Sequence, residues 1–196
     1  MAINLVKGEK VNLAKGQTKF RVGLSWDASQ VPGTEFDLDA MVLELDAKNP
    51  PHKCLNESHF VFYGNLQDPE KAVTHSGDNR TGEGDGDDET IVVDVTKLNP
   101  GVKKLLIVMN IHEGMNRGQN FGQVRNAKAR LYYGDSDVAE LVYDLEEDAS
   151  MNTQIEFCSI YEHNGEWKFE AIGQGAKATL TSLLQKYGLD AGPSNI

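Results

Sequence analysis

Apolar and polar residues alternate along much of the chain. Phe20, Val22, Leu24 and Trp26 occupy every second position, which puts them on one face of an extended strand. Short runs rich in β-branched and aromatic residues recur at 60–63, 91–95, 105–111, 129–133, 141–145, 155–161 and 167–172, each bounded by Gly, Pro, Asn or Asp. Asn164-Gly165, between the last two, supplies the positive φ angles of a tight hairpin. Near the start, INLVKG is echoed by VNLAKG, which reads as two edge-strand segments. No helices alternate with these runs, so the pattern predicts a mainly β protein, an antiparallel β-sandwich of about ten strands. A helical period emerges near the end, where Leu180, Leu183, Leu184 and Tyr187 fall at i, i+3, i+4 and i+7 and Gly188 follows as a left-handed cap. One domain over 1–190, with a short C-terminal helix and a flexible tail over 191–196, is the expected organisation.

Composition narrows the class. A chain of 196 residues buries enough surface to fold without disulfides. With 39% apolar and 25% charged residues it is an ordinary globular protein, not a disordered chain or a coiled coil. Cys54 and Cys158 have no paired spacing and read as free thiols. No apolar run reaches signal-peptide or membrane-span length, so a cytoplasmic protein is expected.

Charge changes the picture more. The net charge of -11 argues against nucleic-acid binding, which needs clustered Lys and Arg. The acidity is also local. Six acidic residues and no basic one lie between Asp27 and Asp46, and seven acidic residues against Arg80 alone lie between Asp78 and Asp94. Outside these two stretches the chain is close to neutral.

The second stretch holds GDNRTGEGDGDDE, residues 77–89. Its glycines let the backbone fold back and aim carbonyls inward, while its carboxylates would repel one another without a counter-ion. A hard divalent cation resolves that conflict, calcium ahead of magnesium because its six to eight oxygen ligands tolerate irregular geometry. The EF-hand pattern fails, since Arg80 stands where a ligand is required, and a single β-roll-like unit lacks stacked neighbours. In the first stretch, Phe36-Asp37-Leu38-Asp39-Ala40 would place Asp37 and Asp39 on one strand face, able to pinch the same cation, with Phe36, Leu38 and Ala40 toward the core. His75 is close enough in sequence to support the ligands. His112-Glu113 is not a zinc-protease motif, because the fifth residue is Asn116.

FDLDA, FVFYGNL, GDNRTGEGDGDDE, NFGQV (Asn120 to Val124), YDLEEDAS (Tyr143 to Ser150) and HNGEWKFEAIGQG (His163 to Gly175) together resemble the TerD family of tellurium-resistance and stress-response proteins, over nearly the whole chain. The resemblance implies a cytoplasmic β-sandwich that binds calcium in its acidic loops, with no established catalytic activity; two bound ions, and action with other proteins of a stress-response assembly, are the expectation. Its metal motifs fall on Asp37, Asp39, Asp78, Asn79, Asp85, Asp87, Asp88 and Glu89, with the carbonyls of Gly82 and Gly84 completing the shell. Two other functions could use the same ion. A metal-dependent phosphoester hydrolase would need an open ligand position and a partner such as His75, Arg80 or His112. A calcium-dependent membrane-surface module would want a basic cluster beside the loops.

Overall fold

The computed structural model describes residues 2–27, 35–46, 52–82, 86–145 and 151–190. Two six-stranded sheets face each other. The first runs β1 (Ile3–Leu5), β10 (Leu141–Asp144), β9 (Lys128–Tyr133), β3 (Lys19–Ser25), β7 (Glu89–Asp94), β6 (Val73–His75). The second runs β2 (Lys10–Asn12), β12 (Glu166–Ala176), β11 (Gln154–His163), β8 (Val102–Ile111), β4 (Leu38–Asp46), β5 (Phe60–Val61). The sandwich is therefore as expected, with two differences. A three-residue strand such as β6 is too short to show alternation, so it escaped the pattern. The pairing of β1 with β10 is parallel, whereas all other strand pairs are antiparallel.

Asn164 and Gly165 both take positive φ, and the β11–β12 hairpin closes around them. Short helices α1 (Gly114–Arg117) and α2 (Leu180–Lys186) complete the fold with two 3-10 turns, Glu57–His59 and Phe121–Gln123. At the start of α2 the Thr179 hydroxyl accepts the Ser182 N–H, a cap that contributes on the order of 1 kcal/mol. At its end Gly188 has φ +80°, as the left-handed cap requires. The tail 191–196 lies outside the described residues.

The main core lies between the sheets, where Phe20, Val22, Leu24 and Ile91 meet Leu38, Ala40, Val42 and Ile107. A second core forms on the outer face of the second sheet, where Met41, Leu43, Leu45, Leu106 and Val108 pack against Leu183, Leu184 and Tyr187 of α2. Strand β4 is thus buried on both faces, which explains the unbroken apolar stretch from Ala40 to Leu43. Its outer edge is covered by β5 only at Val42 and Leu43. At Ala40 the missing strand is replaced by side chains of the opposite sheet. The Ala40 N–H donates to Glu89 Oε2 at 2.7 Å, and His75 Nε2 lies 3.1 Å from the Ala40 carbonyl. These two contacts stitch the sheets together at the end that carries the acidic segments.

Candidate metal centre

Three segments meet at that end. The run-in to β4 and its first residues bring Asp37 and Asp39, the β6–β7 connection brings Asp78, and the β8–α1 turn brings His112. The turn fixes the run-in: His112 N–H donates to the Asp37 carbonyl at 2.8 Å, and Arg117 and Gln119 both donate to the Glu35 carbonyl. Phe36, Leu38 and Ala40 point into the core, which turns Asp37 and Asp39 to the opposite face.

The result is a carboxylate triad. Asp37, Asp39 and Asp78 each bring an oxygen within 4.8 Å of the others, the one group of three or more His, Cys, Asp or Glu this close among the described residues. Asp37 and Asp39 are buried and Asp78 is open to solvent. Burial, Asp37 and Glu89 push the Asp39 carboxyl up to about 8, although hydrogen bonding to Asn110 opposes this. Asp37 is also raised, by burial first, against His112, Arg80 and Arg117, which favour its charged form. One arginine and one imidazole stand beside the triad. Arg80 Nε stands 3.8 Å from Asp37 and 3.9 Å from Asp78, and His112 Nδ1 stands 3.6 Å from Asp39. Asp37 Oδ1 is buried with no hydrogen-bond donor. Converging carboxylates with an unused buried oxygen fit a hard oxygen-seeking cation, because an ion would occupy the direction no donor fills.

The rest of the glycine-rich segment serves different ends. Asn79 folds the loop: its side-chain oxygen accepts from Thr81 and Gly82 N–H, and its amide donates to Asp88 Oδ1. The other oxygen of Asp88 accepts the Trp26 N–H at 2.9 Å, tying the loop to the end of β3. Glu89 is fully buried, with Oε1 accepting the Asn79 N–H and Oε2 the Ala40 N–H. His75 Nδ1 accepts the Gly77 N–H, so its proton sits on Nε2, facing the Ala40 carbonyl and Glu89. Gly82, at φ +66°, packs where a Cβ would lie 2.4 Å from Trp26 Nε1. Gly84 and Asp85 lie outside the described residues.

Asp87 turns away from the triad. Its carboxylate crosses β3 at Gly23 and meets Arg130 of β9 at 2.8 Å. Burial and this carboxylate push the Tyr132 phenol up to about 12. A Cβ on Gly23 would lie 1.9 Å from Asp87 Oδ2. Gly23→Ala is accordingly expected to displace Asp87 from Arg130 and cost about 1–3 kcal/mol in urea unfolding. Divalent-cation binding by that variant should be unchanged, and weaker binding would place Asp87 in the ion's shell.

A cleft of about 110 Å³ opens beside Asp39, lined by Tyr63, Asn110, His112, Met115 and Thr179. Sequence reasoning did not anticipate Tyr63 or Asn110 here. Asn110 is opposite Asp39 in the β4–β8 register, which no spacing in the sequence reveals. Among the described residues no helix is long and apolar enough to cross a membrane.

A family model described as the TerD domain matches residues 1–187. The chain is 46% identical over 193 residues to the uncharacterized protein YceE of Bacillus subtilis (strain 168), covering 96% of this chain and 99% of that protein. It is 43% identical over 194 residues to the tellurium resistance protein TerD of Serratia marcescens, covering 97% and 100%. Among solved structures, a homologue of the telluride resistance protein TerD from Streptomyces coelicolor A3(2) superposes with a TM-score of 0.71 at 22% identity, covering 86% of this chain and 95% of that one.

Proposed function

Because the chain belongs to the TerD family, we propose that it is a cytoplasmic calcium-binding module of a stress and tellurium-resistance response, acting by binding other proteins and not by catalysis. The observation that carries the metal reading is the triad of Asp37, Asp39 and Asp78 with the unpartnered Asp37 Oδ1. Its ligands are all oxygen, which suits calcium first and magnesium second. Asn79, Asp88 and Glu89 would support that site by holding the loop and the β4 edge. A second ion would draw on the loop around Gly82, Gly84 and Asp85. The resistance role rests on relatives that carry such names, the tellurium resistance protein TerD among them. The non-catalytic part of the proposal is supported by His75, which spends both ring nitrogens on the fold and has none left for substrate.

Isothermal titration of the full chain with calcium tests the proposal, and no binding at sub-millimolar concentration would sink it. The pH dependence gives a sharper check. In the apo protein Asp39 keeps a proton up to about pH 8, whereas the unfolded chain releases it near the ordinary value of about 3.9. The folded apo state therefore binds more protons than the unfolded one in that window, and its stability falls as pH rises through it. Calcium must displace the same proton, so its affinity is expected to rise with pH, by up to roughly tenfold per unit, and to level off above about pH 8. Titrations at pH 6, 7 and 8.5 read this directly. A phosphoester screen with and without calcium separates the binding module from a hydrolase; turnover would overturn the non-catalytic reading.

A further inference from the structure

At the far end of β4 from the triad, a second set of buried polar atoms lies without hydrogen-bond partners. Glu44 follows Leu38, Ala40 and Val42 on the inward face, yet it is a carboxylic acid with no exposed surface. Neither of its oxygens has a hydrogen-bond partner. Burial, with Asp68 and Glu70 nearby, pushes it up to about 9. His59 sits across from it by continuation of the β4–β5 register, in which Val42 pairs with Val61 and Leu43 with Phe60. The imidazole is also buried, and His59 Nε2 lies 3.2 Å from Glu70 Oε2. That approach lacks hydrogen-bond direction, for both atoms remain buried and unpartnered. The four orphaned atoms of this region thus belong to three side chains: Glu44 Oε1 and Oε2, His59 Nε2 and Glu70 Oε2.

The groups behind these atoms aim them. Asn56 Oδ1 accepts the Ser58 N–H at 3.0 Å, which fixes it as the oxygen, and it lies 2.9 Å from His59 Nδ1. Nδ1 must therefore carry the proton and donate it, which turns a lone pair of Nε2 toward Glu70. Asn99 donates to Glu70 Oε1 at 2.8 Å and leaves Oε2 free. Asp68 accepts the Val73 and Glu70 N–H groups and so fixes the backbone from which Glu70 reaches in. Hydrogen bonds that hold the far atom of each ligand are how metal sites set ligand orientation. The 3.2 Å separation of His59 Nε2 and Glu70 Oε2 is that of two ligands about 2.1 Å from a shared ion.

We propose that Glu44, His59 and Glu70 form a second metal site, which takes a borderline transition-metal dication such as Zn²⁺ and not calcium. An imidazole nitrogen with carboxylate oxygens is the donor set such ions prefer, whereas calcium and magnesium seek oxygen alone. The three groups are not as tightly gathered as Asp37, Asp39 and Asp78. Closure requires Glu44 to swing toward the pair, and no hydrogen bond holds its oxygens back. Glu70, partly exposed, provides the entry. Cys54 takes no part: its thiol donates to the His59 carbonyl, and burial pushes it up to about 12, so it stays protonated.

The test is calorimetric titration of the full chain with Zn²⁺ in the presence of saturating calcium, with Co²⁺ absorption bands reporting on ligand geometry. The expected result is one Zn²⁺ equivalent that survives Asp39→Asn combined with His112→Ala and weakens roughly a hundredfold or more in Glu44→Gln and in His59→Gln. Glu44→Gln is nearly isosteric and keeps the interior filled, so it decides the matter should His59→Gln fail to fold. Absence of Zn²⁺ uptake by the parent chain would overturn the proposal. Uptake that is lost with Asp39 and His112 but indifferent to Glu44 would overturn it as well, by placing the ion at the triad.

Discussion

Asp39→Asn is expected to raise the melting temperature of the calcium-free protein by a few degrees and to remove nearly all of the gain that calcium gives. Both effects have one origin. Asp39 is almost fully buried beside Asp37 and near Glu89, so without an ion its charge is opposed by burial and by like charge at once. An amide of the same shape relieves that opposition and keeps Asn110 as a neighbour. It also deletes a carboxylate charge that the proposed ion would need. At calcium a hundredfold above its dissociation constant, the parent should gain about 2.7 kcal/mol, which for a chain of this size is roughly 5–10 °C. Differential scanning fluorimetry of parent and variant, with calcium and with chelator, reads both effects. An undiminished calcium gain in Asp39→Asn would place the ion elsewhere.

The second large effect belongs to a residue of the same motif that holds the fold. Glu89→Gln is expected to cost about 3–5 kcal/mol, with the slope of chemical unfolding unchanged. Each Glu89 oxygen accepts a backbone N–H, from Ala40 at 2.7 Å and from Asn79 at 3.1 Å. An amide has one oxygen, so one of those two buried donors would face the NH₂ group instead of an acceptor. His75 would lose part of its surroundings too, since Nε2 stands 3.4 Å from Glu89. Guanidinium unfolding in the presence of chelator separates this loss from any change in ion binding. A cost below about 1 kcal/mol would show that the Ala40 edge is satisfied in another way.

These two carboxylates mark the line between what sequence and tertiary structure decide. Strand alternation, the Asn164-Gly165 hairpin and the Leu180 to Gly188 helix with its cap depend on residues within a few positions of one another. They were legible for that reason. The crowding of carboxylates and glycines in GDNRTGEGDGDDE was legible as well, since both are properties of the segment itself. So was the sharing of one face by Asp37 and Asp39, which follows from the two-residue period of a strand. What the segment could not disclose is how its acids divide. Asp78 joins the triad, Glu89 closes the free edge of β4, and Asp87 crosses Gly23 to Arg130, because each is answered by a partner on another strand. Glu44, His59 and Glu70 passed unnoticed for the same reason. Spacing tells which side chains of one strand point the same way, but only the order and register of strands in two facing sheets decide which of them meet.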